Sequence, residues 1–330
     1  MTREYRPINC DRIKTYSIRQ RRHKASAVKA AGLPERGASA SELLSAMPDY
    51  LGATALRQLV KAVVAAVRHD RPVVAAFGAH VIKVGCSTIL IDLMRRGIIK
   101  ALACNGACAI HDVEIATLGE TSEEVAETLR DGSFGMVAET LEFFDAVAQR
   151  CKQEDIGLGA AIGRLLLERE SPHRELSVFA TARQCGVPIC VHVALGTDTV
   201  HVSAGADGAA LGAASMRDFR LLCDVVSDLG SKNATGVGGV WLNIGSAVVL
   251  PEVFLKAVSV ARNLGANLDA MTTANFDMIR HYRPHQNVVS RPVAAGRGFD
   301  IVGHHEIMLP LLRQAIVEAL PDTSQIPPKQ

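Results

Sequence analysis

The sequence has little net charge, no long apolar run and no paired cysteines, and each absence narrows the class of protein. Its 330 residues carry 36 Lys/Arg against 34 Asp/Glu, a formal net charge of +2, which argues against a protein specialised for nucleic acids. No stretch approaches the roughly 18 apolar residues that a membrane span needs. The N-terminus lacks the apolar core of a signal peptide, and the eight cysteines form no CxxC pair. We therefore expect a cytoplasmic protein with free thiols and with no nucleic-acid or membrane partner.

The charge that is present is unevenly distributed along the chain. Residues 1–36 hold ten Lys/Arg and three Asp/Glu, which leaves 26 and 31 for the remainder. Such a basic arm could contact RNA or an anionic surface, but an acidic face of its own or a neighbouring subunit is the simpler partner. We expect residues 37–320 to form a single domain and residues 321–330 a disordered tail.

The pattern of residues 37–320 predicts an α/β fold. Short apolar runs alternate with amphipathic segments of helical length, which is typical of right-handed crossovers and a parallel sheet covered on both faces. We predict a doubly wound, mostly parallel, Rossmann-like sheet. Its predicted strands are 72–77, 98–103, 189–193, 239–244, 269–273 and 299–302. Its predicted helices are 53–68, 86–96, 122–129, 136–149, 176–185, 216–229, 251–264 and 307–320, and residues 205–214 are predicted to form a loop.

The first predicted strand ends in a glycine-bounded turn. The dinucleotide fingerprint GxGxxG is absent, but Gly78 and Gly85 flank six residues that include His80 and Lys83. This turn could bring backbone N–H groups to a pyrophosphate at the start of the next helix. Lys83 could neutralise that phosphate, or it is an ordinary surface lysine.

The second predicted strand leads into a loop, residues 105–114, with three ionisable groups. A helix that begins near His111 would place His111 and Glu114 on one face, where they could hold a cationic substrate or move a proton. Asp112 could belong to that set, or it could cap the helix without any catalytic part.

Further histidines and a carboxylate follow later strands. Asp198 lies after the third strand, between His192 and His201, although His192 alternates with apolar residues and could be a core histidine. His304 and His305 precede the last helix and would point about 100° apart. No close histidine spacing supports a metal site, and we predict none.

These segments, taken in order, resemble the deoxyhypusine synthase family over roughly residues 40–320. The matching positions lie in the family's NAD-binding turns, in its strand entry, in the start of its VSWGK motif and in its last helix. They are residues 78–85, 104–114, 197–198, 232–236, 244–249, 273–274, 289–290 and 309–312.

The chain also departs from that family. The lysine that ends VSWGK, which forms a covalent imine with the aminobutyl group, is absent because the chain continues Val289-Ser290-Arg291-Pro292-Val293. The family's Ser-Asn becomes Ala79-His80, and its Asp-Ala before the last helix becomes His304-His305. Aminobutyl transfer by the covalent lysine route is therefore not expected here.

The resemblance implies an NAD-dependent enzyme that acts on a polyamine or a related amine, in a homotetramer whose N-terminal segments cover neighbouring sites. We assign catalytic roles to His111, Glu114 and His305, where a histidine moves protons and Glu114 holds an ammonium group. We assign substrate binding to Asp112, Glu252 and His304. The expected NAD contacts are Gly78, Ala79, His80, Gly85, Asn105, Gly106, Asp198, Thr273 and Ala274. Two alternatives stay open: a hydrolase or lyase for a basic small molecule, and a non-catalytic binder of NAD or polyamine.

Overall fold

A computed structural model describes residues 4–231 and 236–321 of the chain. The predicted tail beyond residue 321 and residues 232–235 of the strand-entry motif lie outside the described residues. Within these ranges, no helix is both long enough and apolar enough to cross a membrane. Residues 4–39, which make up most of the basic arm, are exposed throughout.

Helices and strands alternate along the body of the chain. The strands are β1 Val73–Phe77, β2 Ile99–Asn105, β3 Ile189–His192, β4 Val240–Ile244, β5 Thr272–Asp277 and β6 Gly298–Val302. The α-helices are α1 Ala40–Ala46, α2 Leu51–Arg68, α3 His80–Lys83, α4 Ser87–Arg95, α5 Gly106–Leu118, α6 Val125–Thr128, α7 Ala138–Glu154, α8 Leu158–Glu168, α9 Val178–Cys185, α10 Gly208–Ser227, α11 Val249–Asn263, α12 Tyr282–Pro284 and α13 His305–Ala319. A π-helical segment, His285–Ser290, follows α12.

The six strands form one parallel sheet in the order β3-β2-β1-β4-β5-β6. The strand order reverses between β1 and β4, so the crossovers on either side of this point leave in opposite directions. Ligands of open α/β sheets bind in the crevice at the carboxyl ends of the strands beside such a reversal. This topology confirms the predicted doubly wound fold.

Both faces of the sheet are covered by apolar side chains from the helices. Alternate residues of β1 separate the faces: Val73, Ala75 and Phe77 pack with α2, α4, α5, α8 and α13, whereas Val74 and Ala76 pack towards α10 and α11. On the second face Trp241 stacks on Phe254 of α11 with ring centroids 4.2 Å apart. The inner strands β1, β4 and β5 are therefore buried on both sides, as parallel strands usually are.

Several element boundaries differ from the prediction. Helix α5 starts at Gly106 instead of near His111, α10 starts at Gly208 inside the predicted loop, and the helix predicted over 122–129 is reduced to α6. Helix α8 was not predicted. Strand β5 runs to Asp277, four residues beyond its predicted end. Helix α11 does end before Gly265, whose φ of +93° suits the expected glycine cap.

Candidate active site

The strands β1 and β4 end against each other at the reversal of strand order. Gly78 donates its N–H to the Ile244 carbonyl at 2.8 Å. A Cβ atom on Gly78 would lie only 2.1 Å from the carbonyl oxygen of Gly245. Glycine is therefore required at position 78 because the two backbones touch there, and no side chain stands between the strand ends.

His305, the first residue of α13, is buried beside this contact. Its side chain is 1% exposed, and its Nε2 lies 3.3 Å from the carbonyl oxygen of Phe276. Because a carbonyl can only accept, this contact requires Nε2 to carry the proton and leaves Nδ1 as an acceptor. Among the described residues, Nδ1 has no hydrogen-bond partner. A buried polar atom of this kind usually has a ligand or water to satisfy it.

Burial also sets the charge of His305. Loss of solvent lowers the pKa of His305 below its ordinary value, and this outweighs the opposing effects of the Phe276 carbonyl and the Asp277 carboxylate. The ring is thus neutral near pH 7 and is able to accept a proton at Nδ1. Gly245 makes room for it: a Cβ there would lie 2.7 Å from the Cε1 of His305.

Two more polar side chains, His80 and Asp277, lie near His305, and a third, His281, lies beside Asp277. The ring of His80 lies 5.6 Å from that of His305, between centroids, at a tilt of 59°. Asp277 ends β5 and is 6% exposed, and His281 Nε2 lies 3.9 Å from its Oδ2. We call His80, Gly245, Asp277, His281 and His305 the switch-point cluster. Sequence reasoning missed Asp277 and His281 because it ended β5 at Thr273.

A second group lies where β2 enters α5. The Asn105 side chain caps α5 by accepting the Cys108 N–H at 3.2 Å. A Cβ on Gly106 would lie 2.0 Å from the Oδ2 of Asp198, so that carboxylate contacts the first residue of the helix. Burial raises the pKa of Asp198, although His201 at 3.9 Å opposes this. The structure thus brings together three expected NAD contacts: Asn105, Gly106 and Asp198.

A third group, the α5 cluster, consists of His111, Glu114, Thr121 and Thr140. His111 Nδ1 lies 2.6 Å from the Thr121 hydroxyl, which donates to Glu114 Oε2 at 2.5 Å. Thr140 donates to the other oxygen of Glu114 at 3.3 Å. Burial raises the pKa of Glu114, but the nearby His111 ring and the hydrogen bonds from Thr121 and Thr140 outweigh it and hold the pKa below its usual value. Glu114 is therefore ionised and already bonded at both oxygens.

The structure places Asp112 away from these groups. Its side chain is fully buried and accepts hydrogen bonds from the Ser177 hydroxyl and from the N–H groups of Val178 and Phe179. Burial raises the pKa of Asp112 to about 6 against these hydrogen bonds. Asp112 thus caps the start of α9 and not of its own helix, which is where the sequence had placed the capping alternative, and both of its oxygens are engaged there.

The other two expected substrate residues are exposed or paired. Glu252 is bonded to Lys256, lies 3.3 Å from Arg283 Nε and accepts a hydrogen bond from Asn287 at 2.9 Å. His304 is 63% exposed and lies 3.6 Å from the carboxylate of Glu306. Neither carries a side chain into the switch-point cluster, so we do not retain them in the proposed site.

Thr273 and Ala274 lie at the wrong end of their strand for a cofactor. Both are fully buried near the start of β5, and the Thr273 hydroxyl donates to the Val288 carbonyl at 2.6 Å. Their expected contact with NAD at the carboxyl edge is not supported, because β5 continues for three residues beyond Ala274. By contrast, Ala79 precedes α3 and Gly85, with φ +74°, precedes α4, both just beyond β1.

Sequence reasoning also missed a buried row of polar side chains across three strands. Asn243 on β4 donates to the amide oxygen of Asn275 on β5 at 2.8 Å, and Asn275 donates to Asp300 on β6 at 3.0 Å. The other oxygen of Asp300 lies 3.1 Å from His285 Nδ1 and 2.8 Å from Arg280 Nε. The row runs from solvent at the sheet edge to Asn243, next to β1.

Two further expectations concern histidine and metals. His192 is buried opposite Asn105 in the sheet, and burial lowers its pKa to about 4. Its Nε2 finds no partner within the part of the chain that the structure describes. Across residues 4–231 and 236–321, no group of three or more His, Cys, Asp or Glu side chains is arranged to hold a metal ion.

Comparison with known proteins shows the fold. No protein-family model and no curated protein matches the sequence. The solved structure of AgrE with ornithine and NAD+ is 12% identical, with a TM-score of 0.51, and covers 80% of this chain. This chain spans only 33% of AgrE. A candidate LOR/SDH protein from Methanococcus maripaludis S2 is 14% identical with a TM-score of 0.51, over 89% of this chain and 75% of its own.

A candidate deoxyhypusine synthase from Entamoeba histolytica is also similar in structure. It is 11% identical, with a TM-score of 0.50, over 86% of this chain and 93% of its own. At this identity the likeness is one of fold. It agrees with the resemblance found in the sequence, and it leaves the activity to be argued from the site.

Proposed function

We propose that this protein is an NAD-dependent enzyme that oxidises a polyamine or a related amine at the switch-point cluster. The observation that carries the proposal is His305, a buried neutral histidine with an unpartnered acceptor nitrogen at the reversal of strand order. Two features of known structures support it. AgrE, of which this chain spans a third, was solved in complex with ornithine and NAD+, and another similar structure is that of a candidate deoxyhypusine synthase.

The residues at the carboxyl edge fit NAD. Gly78 and Gly245 keep the ends of β1 and β4 free of side chains, and Gly106 begins the 13-residue helix α5 next to the Asp198 carboxylate. The first N–H groups of such a helix favour phosphate, and the Asp198 carboxylate can accept a ribose hydroxyl. When bound, NAD supplies the hydride acceptor for the carbon next to an amine nitrogen.

The protein's own side chains would prepare the amine. Asp277, at the end of β5, attracts an ammonium group, and Nδ1 of His305 takes the proton that must leave before the neighbouring carbon can be oxidised. The imine that results would pass to a second amine or to water. Val293 stands where the family has its covalent lysine, and Lys83 is exposed on α3, so neither provides a Schiff-base partner.

We also propose a homotetramer in the cytoplasm, with one domain over residues 37–320. The exposed basic arm would lie on a neighbouring subunit, since the rest of the chain carries an excess of acidic residues. Size-exclusion chromatography with light scattering tests the assembly. A monomer at micromolar concentration would refute this part alone.

The activity is tested by following absorbance at 340 nm with NAD and a panel of diamines, polyamines and agmatine. We expect NADH formation with at least one amine, and a loss of roughly 10²-fold or more in kcat/KM for His305→Asn. His304→Asn is the matched control, because the adjacent ring is exposed and should leave the rate unchanged.

Thermal melting separates the alternatives. Stabilisation by NAD, with no absorbance change for any amine, would indicate a non-catalytic binder. Stabilisation by a basic small molecule without any response to NAD would favour the hydrolase or lyase and would refute the proposal.

A further inference from the structure

The α5 cluster fixes which nitrogen of His111 carries the proton. Thr121 Oγ1 lies within hydrogen-bond distance of both His111 Nδ1 and Glu114 Oε2. A threonine hydroxyl has a single proton to donate. Glu114 is ionised and can only accept, so the hydroxyl proton goes to Glu114. The contact with His111 then requires that Nδ1–H donates to Thr121.

The proton on Nδ1 determines the state of Nε2, the other ring nitrogen of His111. With its proton on Nδ1, neutral His111 presents Nε2 as an acceptor, and no described residue donates a hydrogen bond to that atom. The His111 side chain as a whole is 14% exposed, so it is largely but not completely buried. His111 and Glu114 do not share a direct hydrogen bond, since Nδ1 and Oε2 are 3.7 Å apart.

The chain is built to hold Thr121 in this place. Gly119, with φ +86°, ends α5 in a left-handed turn, which sends the chain back over the helix. Glu123 anchors the following loop by accepting the Gly135 N–H at 2.8 Å. Thr140, from α7, holds the second oxygen of Glu114. The threonine between the imidazole and the carboxylate is thus fixed from both sides.

We propose that Thr121 is a positioning residue that transmits the charge of Glu114 to His111 and keeps Nε2 of His111 as a proton acceptor. In this arrangement Glu114 binds no substrate ammonium, and it acts only through Thr121. The consequence for catalysis rests on the proposed amine oxidation, in which His111 would be a second base. The tautomer itself follows from the geometry alone.

The test is the ¹⁵N chemical shift of the His111 ring in its neutral form, in full-length protein without any substrate. In the wild type, we expect Nδ1 protonated and Nε2 unprotonated. Thr121→Val should move His111 towards the Nε2-protonated form or a mixture, whereas Thr121→Ser should restore the wild-type spectrum. Thr117→Val is the control, because Thr117 lies on α5 with His111 and Glu114 and its hydroxyl donates only to backbone carbonyls.

The outcomes are distinct. An Nε2-protonated His111 in the wild type, or an unchanged tautomer in Thr121→Val, would overturn the proposal. If the tautomer responds as expected and amine oxidation occurs, kcat should fall roughly 10-fold or more in Thr121→Val and recover in Thr121→Ser, with KM little changed. If the tautomer responds but no amine is oxidised with NAD, the proposed function fails while the role of Thr121 stands.

Discussion

Substitution of Gly245 by alanine tests two properties of this position. One is its left-handed backbone conformation, and the other is the space that it leaves for the His305 ring. Gly245 has φ +64°, and an alanine Cβ would lie 2.7 Å from Cε1 and 3.1 Å from Nε2 of His305. The left-handed conformation costs an alanine about 1–2 kcal/mol. Displacement of the ring from the Phe276 carbonyl costs about 1 kcal/mol more. We expect Gly245→Ala to lose roughly 2–3 kcal/mol of unfolding free energy.

Gly265 provides the matched control. It has φ +93°, but nothing lies within 4 Å of a Cβ added there, so Gly265→Ala carries the backbone cost alone. Urea denaturation should therefore show Gly265→Ala losing about 1–2 kcal/mol with NAD binding intact. Gly245→Ala should be less stable than this and should also bind NAD more weakly.

A double-mutant cycle makes the reasoning refutable. In a His305→Ala background the ring is gone, and the cost of Gly245→Ala should fall to that of Gly265→Ala, a coupling of about 1 kcal/mol. Equal losses of stability for Gly245→Ala in the two backgrounds, with unchanged NAD affinity, would show that Gly245 does not shape the His305 site.

Three further predictions follow from other parts of the structure. Burial raises the pKa of Asp218 to about 7, against hydrogen bonds from Val191 and Gly159, so the folded state binds more protons than the unfolded chain between about pH 4 and 7. The free energy of unfolding should therefore decrease as the pH rises through this range. Urea titrations should show that this decrease is smaller in Asp218→Asn, by up to roughly 3–4 kcal/mol. Borohydride added during turnover should trap no amine adduct on the protein, because Val293 replaces the family's lysine; a labelled lysine in the mass spectrum would refute this. Thr273→Val should lose about 1 kcal/mol of unfolding free energy, because the hydrogen bond to the Val288 carbonyl is lost. The NAD dissociation constant should stay unchanged, and an increase in it would show that Thr273 contacts NAD.

The fold could be predicted from the sequence where each element carries its own pattern. The alternation of apolar runs and amphipathic segments was sufficient to locate the six strands and most of the helices along the chain. Helix α8 was missed because Gly159 and Gly163, which disfavour a helix, interrupt its apolar residues. Both glycines are needed by tertiary contacts that a sequence does not show: a Cβ on Gly159 would lie 1.7 Å from the Ile189 carbonyl, and one on Gly163 would lie 2.8 Å from that of Phe179.

The end of strand β5 could not be predicted from the sequence. Asn275 and Asp277 look like the end of a strand, yet both are buried within β5. Asn275 is tolerated there because its amide bonds to Asn243 and Asp300 on the two neighbouring strands. Such cross-strand partners are known only once the strand order is known, so the boundary and the switch-point residues beyond it could not be read from the chain.

The site was predicted in part for the same reason. Residues next to strand ends, such as Gly78, Asn105 and Asp198, lie at the carboxyl edge as expected. Asp112 was ambiguous between capping and substrate binding, and only its contacts with α9 decide for capping. The part played by Thr121 depends on the turn after α5, which has no signature in the spacing of His111 and Glu114.

Hydrogen–deuterium exchange with and without NAD tests the central claim most directly, because it localises the cofactor without requiring turnover. At NAD concentrations of about 100 times the dissociation constant, binding should stabilise the protein by roughly 2.7 kcal/mol. We predict slower exchange in residues 77–86, 105–110, 244–250 and 303–309, which surround the ends of β1, β2 and β4 and the start of α13. No protection by NAD, or protection confined to α10 and the β6 edge, would contradict a cofactor site at the switch-point cluster.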